Sequence, residues 1–193
     1  MGRTPVRFRF SPAAIRVRVS GQPPSLDRSP VNQIRPALPE DIAPLLALWN
    51  PIIRDTTVTF ASAQRDEAGL TAYVEDRRAR GRETFVALVD GVVAGFASYD
   101  QFRGGDGYVH AMEHTVILGV AARGQGLGRA LMQAVESHAR ERGAHIMVAG
   151  ISGENAAGIA FHQAMGYDHV GRMPQAGRKF GRWLDLVLMQ KTL

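Results

Sequence analysis

Residues 115–129 read Thr-Val-Ile-Leu-Gly-Val-Ala-Ala-Arg-Gly-Gln-Gly-Leu-Gly-Arg, and no other stretch restricts the possible folds as strongly. β-Branched and apolar residues come first, and three glycines, Gly124, Gly126 and Gly128, follow at alternate positions. From there Leu127, Ala130, Leu131, Ala134, Val135 and Ala139 recur at three- and four-residue steps until Gly143. The succession predicts a strand, a tight turn and an amphipathic helix. Glycines let backbone N–H groups converge on one concavity, and a helix start adds partial positive charge, so the turn suits a pyrophosphate. Two familiar phosphate motifs do not fit. The Walker pattern requires Lys-Ser/Thr after its last glycine, where this chain has Arg129 and Ala130, and the dinucleotide pattern requires another glycine spacing and a later acidic residue. What remains is Arg-x-x-Gly-x-Gly between strand and helix, which is either an anion cradle or a purely structural bend.

Strand and helix periods alternate on both sides of this segment, which assigns the chain to the α/β (α+β) class with layers packed on a central sheet. A short strand at 34–38 leads into a helix beginning at Pro39-Glu40-Asp41, whose Ile42, Leu45, Leu46, Trp49 and Ile53 share one face. A more polar helix covers 66–80. Residues 85–89 and 92–99 form a hairpin about Asp90-Gly91, a pair that tolerates positive φ. Further strands fall at 113–118, 145–151, 167–173 and 183–190, and a helix capped by Asn155 ends at Gly166.

A chain of 193 residues holds one such domain, expected at 31–193 behind a basic arm at 1–30. The net charge of +5 lies in that arm, where six arginines face Asp27, whereas the remaining stretch carries 17 basic and 17 acidic residues. The domain itself therefore has no polyanion-binding balance, and nucleic acid is not an expected partner. The arm reads as disordered or accessory; a transit-like peptide, a nucleic-acid arm and a wrongly assigned start compete with that reading. The lack of cysteine excludes disulfides, zinc–thiolate sites and a cysteine nucleophile. No metal is expected, and a cytoplasmic location is compatible. No apolar run approaches the roughly 20 residues that cross a bilayer, so no membrane partner is expected.

The segment 155–167, Asn-Ala-Ala-Gly-Ile-Ala-Phe-His-Gln-Ala-Met-Gly-Tyr, lies downstream of the glycine-rich turn. Together the two resemble the coenzyme A signature and the matching later helix of the GNAT superfamily of acetyltransferases. The stretches FRGGDGYVHAMEHTVIL (102–118), VAGIS (148–152) with Glu154-Asn155-Ala156, and KFGRWLDLVLMQ (179–190) narrow the resemblance. They are similar to the branch of phosphinothricin and methionine sulfoximine N-acetyltransferases, over residues 34–193. The resemblance implies the GNAT fold, a mixed central sheet with a splay between two parallel strands and helices on both faces. It also implies acetyl-CoA as cosubstrate. The backbone of Val116, Ile117 and Leu118 would pair with pantetheine, and Arg123, Gly124, Gln125, Gly126, Leu127, Gly128 and Arg129 would hold the pyrophosphate. Asn155 would reach the pantetheine arm.

An ammonium cannot attack a thioester, so a base is required, and the resemblance puts Glu113 in that position, acting directly or through water. The alternative for Glu113 is a surface glutamate with an ion-pair partner. His114 could share or replace the role, or be exposed. His162 stands where many GNAT enzymes carry a tyrosine beside the departing sulfur; its imidazole could serve the thiolate or simply pack. For the acceptor, Asp106, Gly107 and Tyr108 match the branch's substrate segment. Arg103, Lys179 and Arg182 are candidates for a carboxylate, each of which could instead be exposed charge. The Lys179–Trp183 run, basic and aromatic, suits an anionic pocket or a subunit contact. The implied reaction is acetylation of the α-amino group of a small amino acid such as methionine sulfoximine, methionine sulfone or phosphinothricin, by a homodimer. Peptide or protein N-acetylation, and acetyl-CoA binding without turnover, are the competing readings.

Overall fold

The computed structural model describes residues 32–193; the basic arm at 1–30 and Val31, the expected first residue of the domain, lie outside them. Among the described residues seven strands form one sheet. They are β1 (Asn32–Pro36), β2 (Thr84–Val89), β3 (Val92–Gln101), β4 (Ala111–Leu118), β5 (Ile146–Ser152), β6 (Asp168–Lys179) and β7 (Arg182–Thr192), in the order β1-β2-β3-β4-β5-β7-β6. Only the β4–β5 pair is parallel. Helices α1 (Ile42–Asp55) and α2 (Glu67–Ala79) cover one face, and α3 (Leu127–Glu141) packs on the other, with α4 (Ala156–Ala164) beside it.

The apolar stripe of α1 explains its placement. Ile42, Leu45, Trp49 and Ile53 bury against Val86, Leu88, Phe96 and Ile117 of the sheet, and each such side chain contributes about 1.5–3 kcal/mol. On the opposite face Leu131, Met132, Val135 and Ala139 of α3 are fully enclosed over Ala87, Ala97 and Met147. The Asp90-Gly91 hairpin forms as expected, with φ of 50° and 81° at the two turn residues.

β3, β4 and β7 are each longer than expected by up to two residues at an end, and β1 and β6 depart further from the sequence expectation. β1 starts and ends two residues earlier than 34–38; after a last backbone bond from Ala37 N–H to Thr84 O at 2.8 Å the chain turns into a 3-10 segment at Pro39–Asp41. β6 continues to Lys179 instead of stopping at 173. Pro174 and Gly177 look like terminators, but they sit in an irregular step between Met173 and Gly177 on an edge strand, where bulges and prolines are tolerated. The last hairpin therefore turns at Phe180-Gly181, with φ of 50° and 77°.

The parallel pairing of β4 with β5 is short: Ala111↔Ile146, Met112↔Met147 and Glu113↔Val148. Beyond Glu113 and Val148 both strands continue, each paired only on its other side, β4 with β3 to Leu118 and β5 with β7 to Ser152. The sheet opens as a wedge, which is the expected splay.

Candidate active site

Two cavities of about 290 and 280 Å³ occupy the wedge. The first is lined by Trp49, Val58, Thr59, Phe60, Glu113, His114, Gly150 and Leu186, among others. The second is lined by Leu118, Arg123, Gly158 and Phe161, and both share Ile52, Val58, Val116, Ile117, Asn155 and His162. His162 lines both spaces, whereas Glu113 lines the first alone. Because β4 has no neighbour there, alternate backbone groups of residues 114–118 face the wedge, free for a ligand that pairs as a strand does.

The glycine-rich turn follows Arg123, which lines the second cavity, whereas Gly124–Arg129 line neither cavity. Gly124 and Gly126 have φ of 77° and 78°, a region that costs other L-residues roughly 1–2 kcal/mol. The first backbone bond of α3 runs from Ala130 N–H to Gly126 O, so the amides of Leu127, Gly128 and Arg129 are the unclaimed donors of the first turn. Gly128 has another purpose: a Cβ there would stand 3.0 Å from Leu118 Cδ1 and 3.3 Å from the Phe161 ring, so its lack of a side chain lets α3 approach the wedge. Gln125 Nε2 donates to Ala121 O at 2.8 Å and Arg129 Nη2 to Ala164 O at 3.3 Å, bracing the turn. Asn155 caps α4 by accepting from Gly158 N–H at 2.9 Å, which leaves its amide NH₂ for the cavities that it lines.

Glu113 reaches across the narrow end of the wedge, from the last facing pair of β4 and β5. A Cβ on Gly150 of β5 would lie 2.8 Å from its Oε1. The exposed ion-paired alternative does not hold among the described residues, where no cation acts on this carboxyl and burial pushes its pKa up. His162 donates from Nδ1 to Gly158 O at 2.7 Å, because a carbonyl only accepts; Nε2, buried and unpartnered, therefore carries the lone pair. Burial lowers the His162 pKa, against a smaller opposing effect of the Gly158 hydrogen bond. The ring is neutral at pH 7.

His114, for which the sequence leaves catalysis and exposure both open, is buried. Its ring stacks on His162 at 5.0 Å with 19° between planes, and Tyr167 stands edge-on to both rings. Tyr167 is fixed in turn by its hydroxyl on Glu136 Oε1 at 3.0 Å, and Lys191 holds Oε2 at 2.6 Å. Neither ring nitrogen of His114 has a partner, and burial, with a smaller contribution from His162, lowers its pKa to about 3. Between pH 6.5 and about 3 the unfolded chain therefore binds a proton that the folded chain refuses, so acidification destabilises the fold. The slope is at most about 1.4 kcal/mol per pH unit. Thermal unfolding at pH 6.5 and 4.5 should show a smaller acid-induced loss for His114→Phe than for the wild type; equal losses would dismiss this role.

The acceptor candidates are less gathered. Arg103 and the Asp106–Tyr108 turn stay exposed on the β3–β4 connection, where Gln101 Nε2 binds the carbonyls of Arg103 and Gly105 and the Arg103 guanidinium lies 5.6 Å from the Tyr108 ring. They do not line either cavity. Lys179 is buried and bound to Thr59 O, and Arg182 pairs with Glu154. Sequence reading missed the wall formed by Val58, Thr59 and Phe60 after α1. Its signal was a β-branched and aromatic run, Thr-Thr-Val-Thr-Phe at 56–60, in a place where a plain linker would be small and polar. Gly150 was also missed, hidden inside an apolar strand.

The splayed β4–β5 pair thus lies between a glycine-rich turn that opens a helix and a half-buried glutamate in the first cavity. The chain belongs to the GNAT acetyltransferase family, whose model, "Acetyltransferase (GNAT) family", matches residues 48–167. It is 40% identical over 161 residues to the L-methionine sulfoximine/L-methionine sulfone acetyltransferase of Pseudomonas aeruginosa, covering 83% of this chain and 94% of that one. Among solved structures it resembles a ribosomal-protein-alanine N-acetyltransferase from Brucella melitensis, with TM-score 0.81, 40% identity and coverage of 83% and 99%. It also resembles a phosphinothricin acetyltransferase from Sinorhizobium meliloti in complex with AcCoA, with TM-score 0.80, 29% identity and coverage of 84% and 88%. No described helix is long and apolar enough to cross a membrane.

Proposed function

We propose that this enzyme transfers the acetyl group of acetyl-CoA to the α-amino group of a small amino acid of the methionine sulfoximine, methionine sulfone or phosphinothricin type. The observation that carries this reading is Glu113, half-buried in the first cavity with no ion pair among the described residues, while His162 lines that cavity and the adjoining one. The residues present fit the coenzyme. Gly124–Arg129 offer amides to a pyrophosphate, the open side of residues 116–118 offers backbone to an amide-bearing arm, and Asn155 offers its NH₂. When bound, the thioester supplies an acyl group already activated for attack.

Glu113 removes the ammonium proton of the acceptor, directly or through a water, so that the nitrogen lone pair is available in the first cavity. The raised pKa brings the carboxylate nearer to neutrality, which strengthens it as a base. His162 presents an unprotonated Nε2 and so accepts before it can give. It takes a proton from the nitrogen as the new N–C bond forms and is then able to deliver one to the departing sulfur. The cavity walls keep the nitrogen close to the acyl carbon, and positioning with deprotonation suffices without a covalent enzyme intermediate. The relative from Pseudomonas aeruginosa supports the amino-acid acceptor by its name.

The remaining parts of the reading concern assembly and context. Met173, Phe180 and Trp183, each at least 50% exposed on the β6–β7 hairpin, support a homodimer. The GNAT domain would span residues 31–193, with the basic arm outside it. A cysteine-free enzyme that consumes acetyl-CoA suits the cytoplasm. The name of the Brucella melitensis structure favours a second acceptor, an N-terminal alanine on a protein. Thiol release from acetyl-CoA with L-methionine sulfone, L-methionine sulfoximine, phosphinothricin and an alanine-initiated peptide distinguishes them. A free amino acid should exceed the peptide in kcat/KM by about 100-fold or more, equal to at least 2.7 kcal/mol in the transition state. Faster turnover of the peptide would transfer the assignment to protein acceptors.

A further inference from the structure

Lys179 ends β6 at the tip of the last hairpin, and only 4% of it is exposed. Its ammonium donates to Thr59 O at 2.8 Å, joining segments 120 residues apart. Burying an ammonium is costly unless it is compensated, and among the described residues no carboxylate acts on this one; burial lowers its pKa. The bond instead ends on the main chain in the middle of Val58–Phe60, all three of which line the Glu113 cavity. The same hairpin grips this wall at two neighbouring points. The Phe60 ring lies over Gly177, in the space a Cβ would fill. Thr57 Oγ1 donates to Glu154 Oε2 at 2.9 Å, and Glu154 pairs with Arg182. The Glu154 contacts are exposed and worth little, so of these polar contacts only the Lys179 bond is shielded from water.

We propose that Lys179 is a positioning residue for the acceptor, which holds the Thr59 carbonyl and so fixes the Val58–Phe60 wall of the cavity into which Glu113 projects. Lys179 does this from behind the wall, without touching the amino acid. The proposal rests on the amino-acid acceptor reading above for its kinetic consequence, and on geometry alone for the clamp.

The test uses the full chain with Lys179→Met, Lys179→Arg and Gly177→Ala, the last displacing Phe60 without changing charge. Lys179→Met should raise the acceptor KM about tenfold while kcat and the acetyl-CoA KM stay within about twofold. Lys179→Arg, which retains a donor, should recover most of the loss, and Gly177→Ala should raise the acceptor KM in the same direction. Backbone amide exchange in residues 57–60 should quicken in Lys179→Met while β4 and β5 stay protected. An unchanged acceptor KM, a parallel rise for acetyl-CoA, or faster exchange across the whole sheet would overturn the proposal. Should the wild type acetylate no free amino acid, the functional reading fails, and exchange at 57–60 still decides the clamp: local quickening sustains it and an unchanged rate removes it.

Discussion

Glu113→Gln lowers kcat by about two to four orders of magnitude, the contribution expected of a positioned general base, while acetyl-CoA affinity stays within about twofold. Glutamine preserves the shape that lies over Gly150 and removes only the ability to take a proton. The coenzyme loop at 124–129 begins eleven residues beyond Glu113, past the end of β4, so calorimetric titration with acetyl-CoA should be nearly unaffected. The pH profile provides a second reading. Burial raises the Glu113 pKa, so wild-type kcat/KM should climb with pH through a group above the ordinary glutamate range. That limb should vanish in the variant. A kcat within threefold of wild type would remove Glu113 from the reaction.

The second large effect is expected at Gly126, on the coenzyme side. Gly126→Val places a β-branched residue at φ 78°, a conformation that costs about 1–2 kcal/mol or more for such side chains. The turn relieves this strain by rotating, which misdirects the amides of Leu127, Gly128 and Arg129. Acetyl-CoA should bind about 10- to 100-fold more weakly with the far-ultraviolet spectrum unchanged, as for a local defect at a helix start. Gly128→Ala provides the contrast. Gly128 needs no left-handed backbone, and its added methyl would press on Leu118 and Phe161, so its main effect is on packing at the wedge. Equal coenzyme affinity in Gly126→Val and wild type would show that the turn does not bind the pyrophosphate.

Much of the architecture was legible because it depends on short-range patterns. The 3.6-residue stripe of α3, the Asp90-Gly91 turn and the Asn155 cap each carry their own signal within a few residues. The end of β6 was not, since Pro174 and Gly177 are strand breakers in the interior of a sheet and harmless at its edge, and nothing local says which strand is the edge. The same limit applies to the site. Arg123 to Arg129 form a contiguous motif and were readable, whereas the burial of His114 and its stacking on His162 bring together residues 48 apart. Lys179 shows the difficulty most clearly. As a basic residue near an aromatic turn it looked suited to a substrate carboxylate, yet the fold buries it against the carbonyl of Thr59, whose place in the cavity wall depends on how the α1–α2 loop drapes over the hairpin.

Four strands on one side and three on the other are stitched together by only three facing residue pairs, and Glu113 belongs to the last of them. Any change in the angle between the two half-sheets acts as a lever with its fulcrum there: displacements are small at the fulcrum and grow toward Leu118 and Ser152. The proton acceptor thus sits at the vertex, where tolerance is tightest, and the adjustments that admit a long, flexible guest fall on the outer ends of the arms.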